Sequence, residues 1–153
     1  MIPLKSKEEL EMMRISAEIL AGITRKIKEF VSVGISTLEI DRLAEELIKK
    51  ENAKPAFKGY KGFPATICTS INEQVVHGIP SERKLKEGDI ISLDLGLNYQ
   101  DYFSDIAVTL AVGKINSKAH RLIETTKNAL FEGIKQARID NHLSDISYAI
   151  QTN

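Results

Sequence analysis

The sequence predicts an α+β fold in which helices cover one face of a small antiparallel sheet. Three observations carry this. Residues from about 7 to 30 hold Leu10, Met13, Ala17, Leu20 and Ile27 at three- and four-residue spacing, with Met12, Ile15, Ile19 and Ile23 beside them, which is a broad apolar stripe at helical period. Ser36-Thr-Leu-Glu39 has the form of a capping box and opens a second helix. Residues 90–110 alternate apolar and polar at period two on either side of a polar turn, as a half-buried hairpin does.

Taken in order, the first helix ends before Gly34, and the second carries Ile40, Leu43, Leu47 and Ile48 inward. Residues 54–64 hold two of the four prolines, two glycines, two phenylalanines and a tyrosine, and are expected to form an ordered loop with aromatic anchors. Short strands are expected at 65–69 and 73–77, then a Gly-Ile-Pro turn and a solvated loop at 81–86. The hairpin follows. Asn116-Ser117 caps a third helix through Leu122, Ala129, Leu130, Ile134 and Ala137, and a fourth begins near Leu143. No glycine cap or polar tail closes the last ten residues.

The hairpin is where chemistry enters. Ile91, Leu93, Leu95 and Leu97 share a face with Tyr102, Ser104, Ile106, Val108 and Leu110, and that face is expected to meet the core. The other face carries Asp94 and Asp105. A turn at 98–101, centred between Tyr99 and Gln100, sets the two carboxylates directly opposite, with Cβ atoms roughly 4.5–5.5 Å apart. Like charges so placed repel, and a divalent cation between them removes the conflict. The alternative is that both are surface carboxylates on a solvated sheet face.

Composition bounds the partners. A chain of 153 residues is expected to form one domain, 1–153, with a real core. Lys+Arg and Asp+Glu are both 21, so the net charge is zero and no basic patch points to nucleic acid as the main partner. No run approaches membrane-spanning length. The single cysteine, Cys68, excludes an internal disulfide and suits a reducing cytoplasm.

The run Phe57-Lys-Gly-Tyr-Lys-Gly-Phe-Pro-Ala-Thr-Ile-Cys-Thr-Ser-Ile-Asn-Glu-Gln-Val-Val-His-Gly-Ile-Pro80 closely resembles type I methionine aminopeptidases. So does Gly88-Asp-Ile-Ile-Ser-Leu-Asp-Leu-Gly96, with its second aspartate eleven residues after the first. The resemblance extends over essentially the whole chain. It implies the first half of the pita-bread fold, an α+β half related to its partner half by a pseudo-twofold axis. By the same resemblance, Asp94 is a bidentate ligand to one metal and Asp105 bridges two, the ions being manganese, iron, cobalt or zinc. Such a pair polarises the substrate carbonyl and activates water. His77 matches the histidine that contacts the scissile peptide. Tyr60, Phe63 and Cys68 match the lining of the methionine pocket, where a thioether finds a soft apolar wall. Phe57 has no assigned role. His120 is expected at the surface, His142 at a helix start, and Glu73 and Asp89 in solvated turns.

The family's later half supplies a further histidine ligand, two glutamate ligands and a second histidine, and no position here matches them. Two aspartates are too few to close a two-metal site. The chain alone is therefore expected to bind metal weakly and to turn over little or nothing. A truncated product of a longer enzyme is the first expectation, a homodimer imitating the two halves the second, and a separate chain supplying the other half the third. The activity implied is removal of methionine from nascent-protein N-termini. The alternative is a non-catalytic half-fold that binds peptide or a partner.

Overall fold

The structure is a computed structural model and describes residues 3–153. The chain divides into two compact units, Met1–Lys114 and Ile115–Asn153, each described by itself.

In the first unit, helix α1 (Lys7–Phe30) starts at a capping box that the sequence reading did not single out. The Glu9 amide donates to the Ser6 hydroxyl (3.1 Å), and the Ser6 amide donates to the Glu9 carboxylate (2.7 Å). Helix α2 (Thr37–Lys50) begins at the Ser36–Glu39 box, as expected. Ile40, Ala44, Leu47 and Ile48 are buried, and Leu43 packs against the core from its margin. Together with Leu20, Ile23 and Ile27 of α1, they cover one face of a four-stranded antiparallel sheet.

The strands are β1 (Lys54–Pro55), β2 (Ile67–Ile71), β3 (Ile90–Tyr99) and β4 (Tyr102–Ala111). Strand β3 is central, pairing with β4 along one edge and with β2 and β1 along the other. Its odd-numbered leucines, Leu93, Leu95 and Leu97, are wholly buried. Ser104 is the one polar residue of β4 on that core face, and α1 satisfies it. Its hydroxyl donates to the Ser16 carbonyl (3.0 Å), while the Ser16 hydroxyl donates to the Tyr102 carbonyl (3.0 Å).

Two expectations fail here. Residues 73–77 form no strand: they lie in an exposed loop, with Val75 84% exposed, and the strand before them runs two residues later than expected. Residues 81–86 are exposed as expected, except for Leu85. The Leu85 amide donates to the Ile35 carbonyl (2.8 Å), the Gly34 amide to the Leu85 carbonyl (2.8 Å), and Leu85 is buried. Mixed charge hid one apolar anchor.

In the second unit, α3 (Ser117–Gln136) is capped by Asn116, whose side chain accepts from the Ala119 amide (2.8 Å). It packs on α4 (Leu143–Thr152) at Gly133, where an added Cβ would lie 2.9 Å from the Ile150 side chain. No helix among the described residues is long and apolar enough to cross a membrane.

Candidate metal and peptide site

The hairpin register departs from the expected one by two positions. Asp94 stands opposite Ala107, and Asp105 stands opposite Gly96. The turn is Gln100-Asp101, between the facing pair Tyr99 and Tyr102; both turn residues are left-handed (φ 49° and 68°), the form that matches strand twist in a two-residue hairpin. The turn centre therefore lies one residue later than expected. A two-position offset preserves the face, because side chains alternate with period two. The carboxylates are consequently diagonal neighbours, roughly 7–8 Å apart or somewhat less at Cβ.

Cys68 of β2 pairs with Asp94 from the other side, so Cys68, Asp94 and Ala107 form one row across the sheet. Ser70, Ser92 and Thr109 form the adjacent row, and the Ser92 and Thr109 hydroxyls share a hydrogen bond of 2.8 Å. Asp94 is half-buried and Asp105 exposed. Burial raises the Asp94 pKa above the ordinary carboxylate value, the Asp105 charge raises it further, and His77 acts in the opposite direction. The Cys68 thiol is pushed up to about 11 by burial and then by the charges of Asp94 and Asp105. At neutral pH it is a thiol, a small apolar wall and not a nucleophile.

His77 is exposed, with a left-handed backbone (φ 59°) that a non-glycine residue rarely adopts. Tyr60 (64% exposed) and half-buried Phe63 lie on a separate loop, closed by the Gly59 amide on the Phe63 carbonyl (2.8 Å) and the Phe63 amide on the Tyr60 carbonyl (2.9 Å). On the sheet, Cys68 adjoins Asp94 and Asp105 lies diagonal to it, His77 reaches them only through its charge on Asp94, and Tyr60 and Phe63 sit on a loop of their own. Among the described residues no group of three or more His, Cys, Asp or Glu could hold a metal ion. His120 is exposed, and His142 is an exposed helix-capping residue whose amide donates to Asp145 (2.7 Å).

Three neighbours escaped the sequence reading. The Phe57 ring lies over Gly96, where an added Cβ would sit 3.0 Å from it and 3.1 Å from the Ser104 carbonyl. A glycine in mid-strand was the available signal. Asp41 is buried and takes the amides of Thr66 (2.8 Å) and Ile67 (3.2 Å), fixing the entry to β2. Ser70 accepts from the Gly78 amide (3.2 Å).

Residues 11–152 match the model of metallopeptidase family M24. The chain belongs to that family. As an M24 chain it is 49% identical over 152 residues to a methionine aminopeptidase of Clostridium acetobutylicum, and 46% identical to methionine aminopeptidase 1 of Bacillus subtilis, covering 99% of this chain and 61% of each relative. Its fold superposes on the crystal structure of methionine aminopeptidase from Rickettsia prowazekii with a TM-score of 0.97 at 36% identity, covering 99% of this chain and 61% of that one. Prolidase from Pyrococcus furiosus matches at 0.86 and 25% identity, over 97% of this chain and 43% of that one. The mixed helix and antiparallel sheet is thus that of the pita-bread fold, as the resemblance implied. The M24 chain spans about three-fifths of the length of the curated relatives it matches.

Proposed function

We propose that this chain is the aspartate-bearing part of a metal-dependent aminopeptidase that removes methionine from protein N-termini. The observation that carries the reading is the placement of Asp94 and Asp105 on one sheet face, diagonal to each other, with Cys68 beside Asp94. Support for methionine over a prolyl substrate comes from the higher identity to methionine aminopeptidases than to the prolidase.

The donor set fits a divalent ion in part. Asp94 is pushed toward its protonated form by burial and by Asp105, a conflict that a cation relieves. Carboxylates suit manganese, iron, cobalt or zinc. Two carboxylates leave most coordination positions of two ions open, so the remaining donors come from outside the described residues. Divalent ions bound there would supply Lewis-acid polarisation of the scissile carbonyl and activation of water. The chain's own residues then have distinct tasks. Asp94 and Asp105 hold negative charge at fixed places on a rigid sheet. His77 faces the scissile peptide from its exposed loop. Tyr60, Phe63 and the neutral Cys68 thiol form an apolar wall for the methionine side chain.

A second reading, a half-fold that binds peptide N-termini or a partner without turnover, is favoured by the lack of a third donor among the described residues. The deciding experiment is hydrolysis of a Met-Gly peptide by the 153-residue chain with manganese or cobalt, beside Asp94→Asn. Methionine release that vanishes in the variant supports the enzyme, with the site completed by association. Folded protein that neither releases methionine nor binds manganese sinks the enzyme reading for this chain alone.

A further inference from the structure

The conformation of His77 is set from a strand outside its loop. Strand β2 pairs with β3 along one edge, and three of its amides find acceptors elsewhere. Ile67 donates to the Asp41 carboxylate (3.2 Å), Thr69 to the Gly78 carbonyl (2.8 Å) and Ile71 to the Gln74 side-chain oxygen (2.9 Å). Gly78 returns a bond, its amide donating to the Ser70 hydroxyl oxygen at 3.2 Å in a buried position. Residue 78 is therefore held at both its amide and its carbonyl. Gln74 is held twice as well, its own amide donating to the Ile71 carbonyl (3.1 Å). Between these anchors run only Val75, Val76 and His77, all exposed.

The Gly78 amide belongs to the peptide plane that joins His77 to Gly78. An acceptor fixed in space at that N–H therefore fixes the ψ of His77. A left-handed non-glycine residue persists only where its surroundings over-determine it, and here they do. Gly78 is pressed onto β2 so closely that a Cβ on it would fall 2.1 Å from the Thr69 carbonyl oxygen. The Ser92 hydroxyl in the same row bonds Thr109, and the hydrogen bond recorded for the Ser70 hydroxyl is the one from the Gly78 amide. Its row adjoins that of Asp94.

We propose that Ser70 is a positioning residue for His77: its buried hydroxyl oxygen orients the His77–Gly78 peptide, keeping His77 left-handed beside the aspartate face. The catalytic meaning of this rests on the reading of His77 as the group that faces the substrate peptide. The device itself does not. Ser70 touches no substrate and acts through His77 alone.

The test is nuclear magnetic resonance of the 153-residue chain, reading the His77 backbone coupling and Cα shift, which report a left-handed residue, and the exchange of the Gly78 amide. Ser70→Ala shifts the His77 signature toward averaged values and speeds Gly78 exchange by about three- to tenfold, the range of one buried hydrogen bond. Ser70→Thr, which keeps the hydroxyl, restores both. Thr69→Val, on the same strand but removing a hydroxyl that is buried without a partner, leaves both unchanged. Should the alanine cavity unfold the chain, Ser70→Cys, close in size and a weaker acceptor, gives the same shifts in smaller measure. An unchanged His77 signature with unchanged Gly78 exchange in the folded Ala or Cys variant overturns the proposal. Both readouts are taken without metal or peptide. Methionyl-peptide hydrolysis by His77→Ala, in a form competent for turnover, decides the reading of His77 separately.

Discussion

Replacing Gly78 by alanine is expected to destabilise the chain through one identifiable collision. The new Cβ would lie 2.1 Å from the Thr69 carbonyl oxygen, 2.7 Å from its carbon and 3.1 Å from the Ser70 Cα. All three are backbone atoms of a paired strand, so no side-chain rotation relieves the contact. Gly78 does not have the left-handed φ of Gly59 or Gly62, and the clash is the whole effect. Restoring van der Waals separation requires residue 78 to retreat by on the order of 1 Å. The Thr69–Gly78 hydrogen bond, now 2.8 Å, would then exceed the length at which such bonds persist. The Thr69 amide would be left buried and unpaired, at about 1–3 kcal/mol, and the weaker Gly78–Ser70 bond would go with it. A total of about 2–4 kcal/mol follows if the loop stays docked, and nearer 1 kcal/mol if water reaches the freed amides. With a urea m-value of roughly 2 kcal/mol/M, a loss of about 2 kcal/mol lowers the unfolding midpoint by about 1 M. Urea unfolding followed by circular dichroism measures this, and hydrogen exchange at Thr69 reports the site. A midpoint within about 0.2 M of wild type, with Thr69 still protected, would refute the close approach and the argument built on it.

Asp94→Asn is expected to stabilise the metal-free chain at neutral pH by up to about 1 kcal/mol, because it removes a partly desolvated charge and, secondarily, its repulsion with the diagonal Asp105. A folded-state pKa raised above the ordinary 3.8 penalises folding at pH above it, so the gain fades as pH falls through that value; urea midpoints at several pH values check it. The proposed site further predicts that manganese raises the melting temperature of the wild type and not that of this variant. The Ser36 amide and then its hydroxyl lower the pKa of Glu39 below the ordinary 4.5. That group adds stability above pH 4.5 and loses it as pH falls through its folded value, so Glu39→Gln flattens the acid limb of the stability profile. Gln100→Asn with Asp101→Gly, suited to the two left-handed positions of the hairpin turn, is expected to raise stability by about 1 kcal/mol in thermal unfolding without altering the register.

The helices were legible because each announces itself locally. Ser36 with Glu39 and Asn116 before Ser117 place two starts to the residue, and the stripe from Leu20 to Ile27 faces the core as its period requires. The hairpin faces were legible for the same reason, through period two. Its register was not, because it depends on which residues accept a left-handed backbone. Asn98 looked like part of the turn, yet it pairs within β3, and its side chain takes the Asp101 amide (2.9 Å) from there. The strand expected at 73–77 does not form, and the adjoining β2 amides of Thr69 and Ile71 are taken by the Gly78 carbonyl and the Gln74 side chain. The aspartates could be picked out by type and spacing. Ser70 and Asp41 could not, since their bonds reach across 8 and 25 residues and depend on tertiary packing alone.

The corrected register changes the chemistry in one respect and protects it in another. Two carboxylates directly opposed would have shared one environment. The diagonal arrangement gives them two: Asp94 in the middle of the sheet, half-buried between Cys68 and Ala107, and Asp105 on the edge strand, exposed. Desolvation therefore falls mainly on Asp94, while Asp105 stays exposed at the sheet edge. What the hairpin must preserve is parity. Moving the turn centre by one residue shifted the pairing by two positions and left both aspartates on the same face. A slip of one position in the pairing would have turned either Asp94 or Asp105 toward Leu20, Ile23 and Ile27 and buried a carboxylate in the core. The apolar residues Leu93, Leu95 and Leu97 forbid that slip on β3, and Ile106, Val108 and Leu110 forbid it on β4, so the packing that stabilises the sheet is also what presents the two carboxylates together.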